Sequence, residues 1–197
     1  MAISSLLDTE IETEAKEALE PVFDIAPLPF VLDTDIGTDV DDALALAFAL
    51  RCPKLELRAV TTVSGDTVRR ACIAKMLLRL AGREDVEVAA GVAGEVSDAR
   101  RQPEAGHETA MLLGDDTEYE LSARDGVTLI VEECGGAGGC ELATVGMQSN
   151  LAAALDREPA LATELSRLTV MGGVFAPVEF LGMPVPPAID HNLNEIG

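Results

Sequence analysis

The chain has 197 residues, with 35 Asp and Glu against 14 Lys and Arg, a formal net charge of −21. That length carries one domain with a buried core, and a 48% hydrophobic content with mean hydropathy of +0.21 excludes wholesale disorder. So acidic a surface repels phosphate backbones and anionic bilayers, which argues against nucleic acid and membrane as partners.

Residues 1–29 form an acidic extension, with seven acids and a single base, Lys16. Ile11, Ala15, Ala18 and Leu19 recur at helical spacing, and Pro21, Pro27 and Pro29 end the pattern. The acidic start is unlike a signal peptide. The longest apolar run, Ala43 to Leu50, is too short for a bilayer, so a cytoplasmic location is expected.

From Phe30 onward, strand and helix patterns alternate. Phe30-Val31-Leu32 is a short apolar run, and Val40 to Leu50 is helix-forming throughout. Leu57 to Val63 reads as a strand. In Thr67 to Ala81, Val68, Cys72, Met76 and Leu80 recur at i+4 with basic residues between them, predicting an amphipathic helix stopped by Gly82. Val86 to Ala89 is a third strand, and Gly91 to Asp116 reads mostly as loop.

A helix over Ala123 to Cys134 is followed by a strand over Glu141 to Val145. Helices are expected at Asn150 to Leu155 and Pro159 to Leu165, then a strand at Leu168 to Met171. Gly172 to Gly197 is proline-rich and loop-like. The alternation predicts an α/β fold, a mostly parallel sheet with helices on both faces. The four cysteines lack metal-ligand spacing and are expected to be reduced. Cys134 and Cys140 flank a Gly-rich loop, a spacing that permits a disulfide without requiring one.

Ligands of such folds sit beyond the C-terminal ends of strands. There the sequence reads Asp33-Thr34-Asp35-Ile36-Gly37-Thr38-Asp39-Val40-Asp41-Asp42. Five carboxylates in ten residues repel one another, and a divalent cation would offset that repulsion. Oxygen-only donors favour Ca²⁺ or Mg²⁺. Asp39 is an N-cap candidate, with Asp42 three residues on as in a capping box. Asp41 and Asp42 then point about 100° apart in the first helical turn. An EF-hand loop does not fit, because its twelfth position would be Leu44. An aspartyl-phosphate phosphatase would use D-x-D, but does not account for the Asp41-Asp42 pair.

This segment resembles the D-x-D-x-G-x-D-D signature of calcium-dependent nucleoside hydrolases of the inosine/uridine-preferring type, with two extra residues before the acid pair. Ala59-Val60-Thr61-Thr62-Val63-Ser64-Gly65, Gly146-Met147-Gln148-Ser149-Asn150-Leu151-Ala152, Met171-Gly172-Gly173 and Asp190-His191-Asn192 are similar to later family segments, in the same order.

The resemblance implies a Rossmann-like nucleoside hydrolase domain over residues 30–197 that hydrolyses nucleosides to base and ribose, a salvage reaction. It implies Ca²⁺ held by Asp35, Asp42 and the backbone carbonyl of Ser149, with Asp41 as general base and Asp33 supporting the cluster. Asp66, Asp190 and Asn192 are expected to bind the ribose, with Met171 and His107 near substrate. The family domain continues beyond the Asn192 segment and supplies a further Asp ligand. This chain is therefore expected to hold the N-terminal two-thirds of a domain, completed by a C-terminal segment or an oligomer partner. The alternatives are a non-catalytic calcium- or sugar-binding relic and another metal-dependent hydrolase, such as a phosphatase.

Overall fold

The computed structural model describes residues 26–94, 119–136, 138–172, 178–180 and 182–185. Five strands form one all-parallel sheet: β1 (Leu28–Thr34), β2 (Leu55–Thr62), β3 (Glu87–Ala90), β4 (Glu141–Thr144) and β5 (Arg167–Val170), in the order β3-β2-β1-β4-β5. The connecting helices are α1 (Val40–Arg51), α2 (Thr67–Leu80), α3 (Gly126–Cys134), α4 (Ser149–Arg157) and the short α5 (Leu161–Glu164).

β1 is central and buried over its last five residues, so its sequence is an apolar run rather than an alternation. Its side chains still divide by period two. Phe30 and Leu32 join Leu46 of α1 and Ala71, Ile73 and Leu78 of α2 in one core layer. Val31 joins Leu129 and Ile130 of α3 and Leu151 of α4 in the other. In the pairing with β2, Phe30 meets Leu57 and Val31 meets Ala59, so Arg58 is an extra residue in β2.

α2 buries only the middle of the row its spacing predicts, and a wider face beside it. Cys72 and Met76 are buried, but Val68 is 52% and Leu80 76% exposed, while Arg70 is only 1% exposed. The helix seats a wide face containing Ala71, Ile73, Ala74 and Leu78 on the sheet, and an i+4 row drifts around the helix, so its middle is buried while its two ends reach solvent. Gly82, at φ +69, follows the helix end as expected.

A second correction lies in the proline-rich tail. Val178–Phe180 and Met183–Val185 pair as a two-stranded antiparallel ribbon, β6-β7, where loop was expected. Pro184 is accommodated there because a two-stranded ribbon has only edge strands. The helical reading of the acidic extension falls on residues 1–25, and most of the expected Gly91–Asp116 loop falls on residues 95–116; both lie outside the described residues. β5 is exposed along all four residues, and Val40, Leu44 and Phe48 of α1 present an exposed apolar row.

Candidate active site

The order of the sheet changes direction at β1, whose two neighbours lead away to β2-β3 and β4-β5. The crevice beyond the C-terminal ends of β1 and β4 is therefore the topological switch point, where open α/β sheets bind ligands. β1 delivers the acid loop to this crevice, and β4 delivers Val145 to Ser149.

Asp33, the penultimate residue of β1, faces the α3/α4 layer, in phase with Val31. Its Oδ1 accepts hydrogen bonds from Thr61 Oγ1 at 2.6 Å and Asn150 Nδ2 at 2.7 Å. Its Oδ2 is buried with no partner. Burial pushes the Asp33 pKa up to about 7, against the opposing pull of the Thr61 and Asn150 hydrogen bonds. Thr34 faces the other layer, where its hydroxyl donates to Oδ1 of Asp42 and accepts from the Ile36 amide at 3.1 Å.

Asp39 occupies the N-cap position of α1, but its side chain makes no capping bond. The expected capping box does not form, because Asp42 turns inward to Thr34. Asp42 is buried, and burial followed by the charge of Asp35 raises its pKa to about 7. Asp41, its neighbour on the first turn, is exposed. The 100° step along a helix thus separates a buried carboxylate from a solvent-facing one. Asp35 lies between them in burial, and desolvation raises its pKa against the attraction of Arg70.

The β4 loop closes on the acids from the side. The Val145 amide donates to the Asp33 carbonyl at 2.8 Å. A Cβ on Gly146 would meet the Asp35 amide nitrogen at 2.8 Å and Asp35 Oδ1 at 3.0 Å, so only glycine fits this approach. Ser149 is the half-buried first residue of α4, three positions further on. Met171 follows β5 and donates its amide to the Thr144 carbonyl at 2.8 Å, leaving its side chain exposed. Asp66 is exposed at the N-terminus of α2, where its Oδ1 accepts from the Arg69 amide at 3.0 Å. It serves as the helix cap. His107, Asp190 and Asn192 lie outside the described residues.

Two residues with no role assigned from the sequence organise the site. Asn150 spends its whole amide there. Besides holding Asp33, its Nδ2 reaches the Thr62 carbonyl at 3.0 Å, and its Oδ1 accepts from the Val92 amide at 2.8 Å. Asn150 is fully buried, and the signal in the sequence was an Asn directly ahead of the apolar run Leu151 to Leu155. Arg70 is the other, a buried cation beneath the acid loop.

The donor chemistry fits a hard divalent cation. Asp33, Asp35 and Asp42 are oxygen donors in a setting that penalises their unpaired charge, and Asp33 Oδ2 is an orphan. Among the described residues, no three His, Cys, Asp or Glu side chains converge as a complete metal-holding group. Asp35 and Asp42 would be part of a shell rather than all of it.

Comparison with known proteins bears on what this arrangement is for. Residues 30–193 match the family described as inosine-uridine preferring nucleoside hydrolase. The chain belongs to that family. It is 29% identical over 155 residues to the pyrimidine-specific ribonucleoside hydrolase RihA of Salmonella typhi, covering 76% of this chain and 49% of that protein. It is 26% identical over 170 residues to a probable uridine nucleosidase 1 of Oryza sativa subsp. japonica, covering 83% of this chain and 51% of that one. The nucleoside hydrolase fold is matched by the plant enzyme PpNRh1, with a TM-score of 0.62, 26% identity and coverage of 75% of this chain and 48% of that one. The type III effector XopQ, solved with adenosine diphosphate ribose, shares the fold at a TM-score of 0.71 and 23% identity, covering 92% of this chain and 55% of that one. The chain spans about half the length of the curated relatives it matches. No helix among the described residues is long and apolar enough to cross a membrane.

Proposed function

We propose that this nucleoside hydrolase chain carries the catalytic acid loop of a ribonucleoside N-glycosidase. The observation that carries the reading is the split of the acid pair at the switch point, Asp42 buried against Thr34 and Asp41 exposed beside it. Asp35 and Asp42 would hold Ca²⁺ with the Ser149 carbonyl. When bound, the cation supplies polarisation of a water molecule and coordination for sugar hydroxyls. Asp41 accepts the proton of the attacking water. The water oxygen bonds to the anomeric carbon, the C–N bond breaks, and its electron pair leaves with the base. The surrounding carboxylates favour the positive charge that develops on the sugar. Asp33 stays behind the cluster, held by Thr61 and Asn150.

The substrate is a nucleoside such as uridine or inosine, in keeping with what the relatives are named for. The exposed β5 supports completion of the sheet by a further segment or a second copy, which would also bring the remaining cation ligand.

Release of base from uridine and inosine tests the reading, measured by absorbance with Ca²⁺ and with chelator. Turnover is expected only with Ca²⁺, and Asp41→Asn should abolish it while leaving Ca²⁺ binding intact. Turnover that survives Asp41→Asn would sink the mechanism. Calcium-dependent thermal stabilisation without turnover would favour a binding-only role.

A further inference from the structure

A buried arginine needs acceptors for its donors, and those of Arg70 lie in the loops around the site. Nε donates to the Ser64 carbonyl at 2.8 Å. Nη1 donates to the carbonyl of Asp35, to the Ile36 carbonyl at 2.9 Å and to Thr38 Oγ1 at 2.9 Å. One guanidinium on α2 therefore ties the loop after β2 to three residues of the acid loop, Asp35, Ile36 and Thr38. Ser64 sits at φ +71, a left-handed conformation unfavourable for a residue with a Cβ, and its carbonyl is one of the acceptors.

The loop so gripped is the part of the signature that is lengthened here. Five residues, Ile36 to Val40, separate Asp35 from Asp41, where the common D-x-D-x-G-x-D-D pattern has three. A longer loop has more conformations to lose. The contacts to Ile36 and Thr38 fall within it. A planar fork on a buried side chain of α2 restrains it, whereas a lysine would supply charge without that geometry.

We propose that Arg70 is the positioning residue of the acid loop, fixing residues 35–38 so that Asp35 and Asp42 are presented together to a cation. The cation clause rests on the proposed function; the loop clause does not. Hydrogen–deuterium exchange of the cation-free chain reads the loop clause directly. In Arg70→Lys, amides of residues 35–42 should exchange at least about tenfold faster, the equivalent of losing one or two hydrogen bonds, while β2, β3 and β4 keep their protection. Thr38→Val removes only the hydroxyl contact at a half-buried position, so it decides the matter if the lysine variant does not fold; a smaller increase of a few fold, confined to the same peptides, is expected. Unchanged loop exchange in the folded variants, or acceleration spread evenly over the sheet, would overturn the proposal.

Calcium titration by calorimetry reads the second clause, with binding expected to weaken by about tenfold or more in Arg70→Lys. Undiminished calcium affinity alongside a loosened loop would overturn the cation clause. Faster loop exchange in a protein whose wild type binds no calcium would leave Arg70 as the loop's clamp and remove the proposed function instead.

Discussion

Asp33→Asn isolates the cost of burying a charge at the end of the central strand. The substitution is isosteric. Its Oδ1 can still accept from Thr61 Oγ1 and Asn150 Nδ2, now 2.6 and 2.7 Å from the carboxylate. What it removes is the ionised form of a fully buried group. In the folded chain Asp33 holds its proton up to about pH 7, whereas in the unfolded chain it releases it near 3.8. Between those values the folded state binds more protons, so this residue's contribution to stability falls as pH rises. At 1.36 kcal/mol per pH unit, the penalty grows by about 2.5 kcal/mol between pH 5 and pH 8. The assay is urea unfolding of wild type and variant, both with chelator, at pH 5, 6, 7 and 8. The stability difference should move in favour of Asn by about 2.5 kcal/mol across that range, and level off above pH 7. Parallel pH profiles for the two proteins, or a variant that loses ground at pH 8, would refute the argument that Asp33 is held against its charge by desolvation.

Gly146→Ala should destabilise the chain by about 1–3 kcal/mol in thermal unfolding, because its Cβ would stand 2.8 Å from both the Asp35 amide nitrogen and Val63 Cγ1. Calcium affinity should fall with it, since Asp35 must move; an unchanged melting temperature would count against the close approach of β4's loop to the acids. Cys134 and Cys140 are free, buried thiols whose sulfurs lie 3.4 Å apart at the two ends of the Gly-rich loop. Disulfide exchange with oxidised glutathione should join them, with loss of two hydrogens by mass and release of two equivalents of reduced glutathione. Peptide mapping that finds them still reduced, with Cys52 modified instead, would contradict this.

The alternation of patterns made the layered parallel sheet legible, because a strand buried on both faces leaves an uninterrupted apolar run, as in β1. The acid loop was equally legible, since five carboxylates at a strand end are costly unless something uses them. Burial within α2 was legible at Cys72 and Met76 but not at the helix ends. The helix carries small residues on a wide face, so Ala71 and Ala74 pack closely where a hydropathy stripe would have placed Val68 and Leu80. Arg70 reads as one of several interleaved bases, because three of the acceptors named for it, on Asp35, Ile36 and Thr38, lie more than thirty positions earlier in the chain. Gly126, the first residue of α3 and a poor helix former, is required by packing: a Cβ there would meet Gly91 Cα at 2.9 Å. The β6-β7 ribbon is not legible in the sequence, because three-residue strands are too short to establish a period and Pro184 argues against one of them.

β1 acquires its two neighbours at very different stages of the chain. β2 follows after one helix, but β4 and α4 come far later, and the hydrogen bond from Asn150 to Asp33 spans 117 positions. Contacts of such separation form slowly. As the chain is synthesised, β1 is therefore exposed along one edge for most of the time, an apolar ribbon open to pairing with other nascent chains. During that interval Asp33 is still hydrated and ionised, a charge set in the very strand most prone to aggregate. The carboxylate that weighs against the finished fold acts as a gatekeeper while the fold is being made.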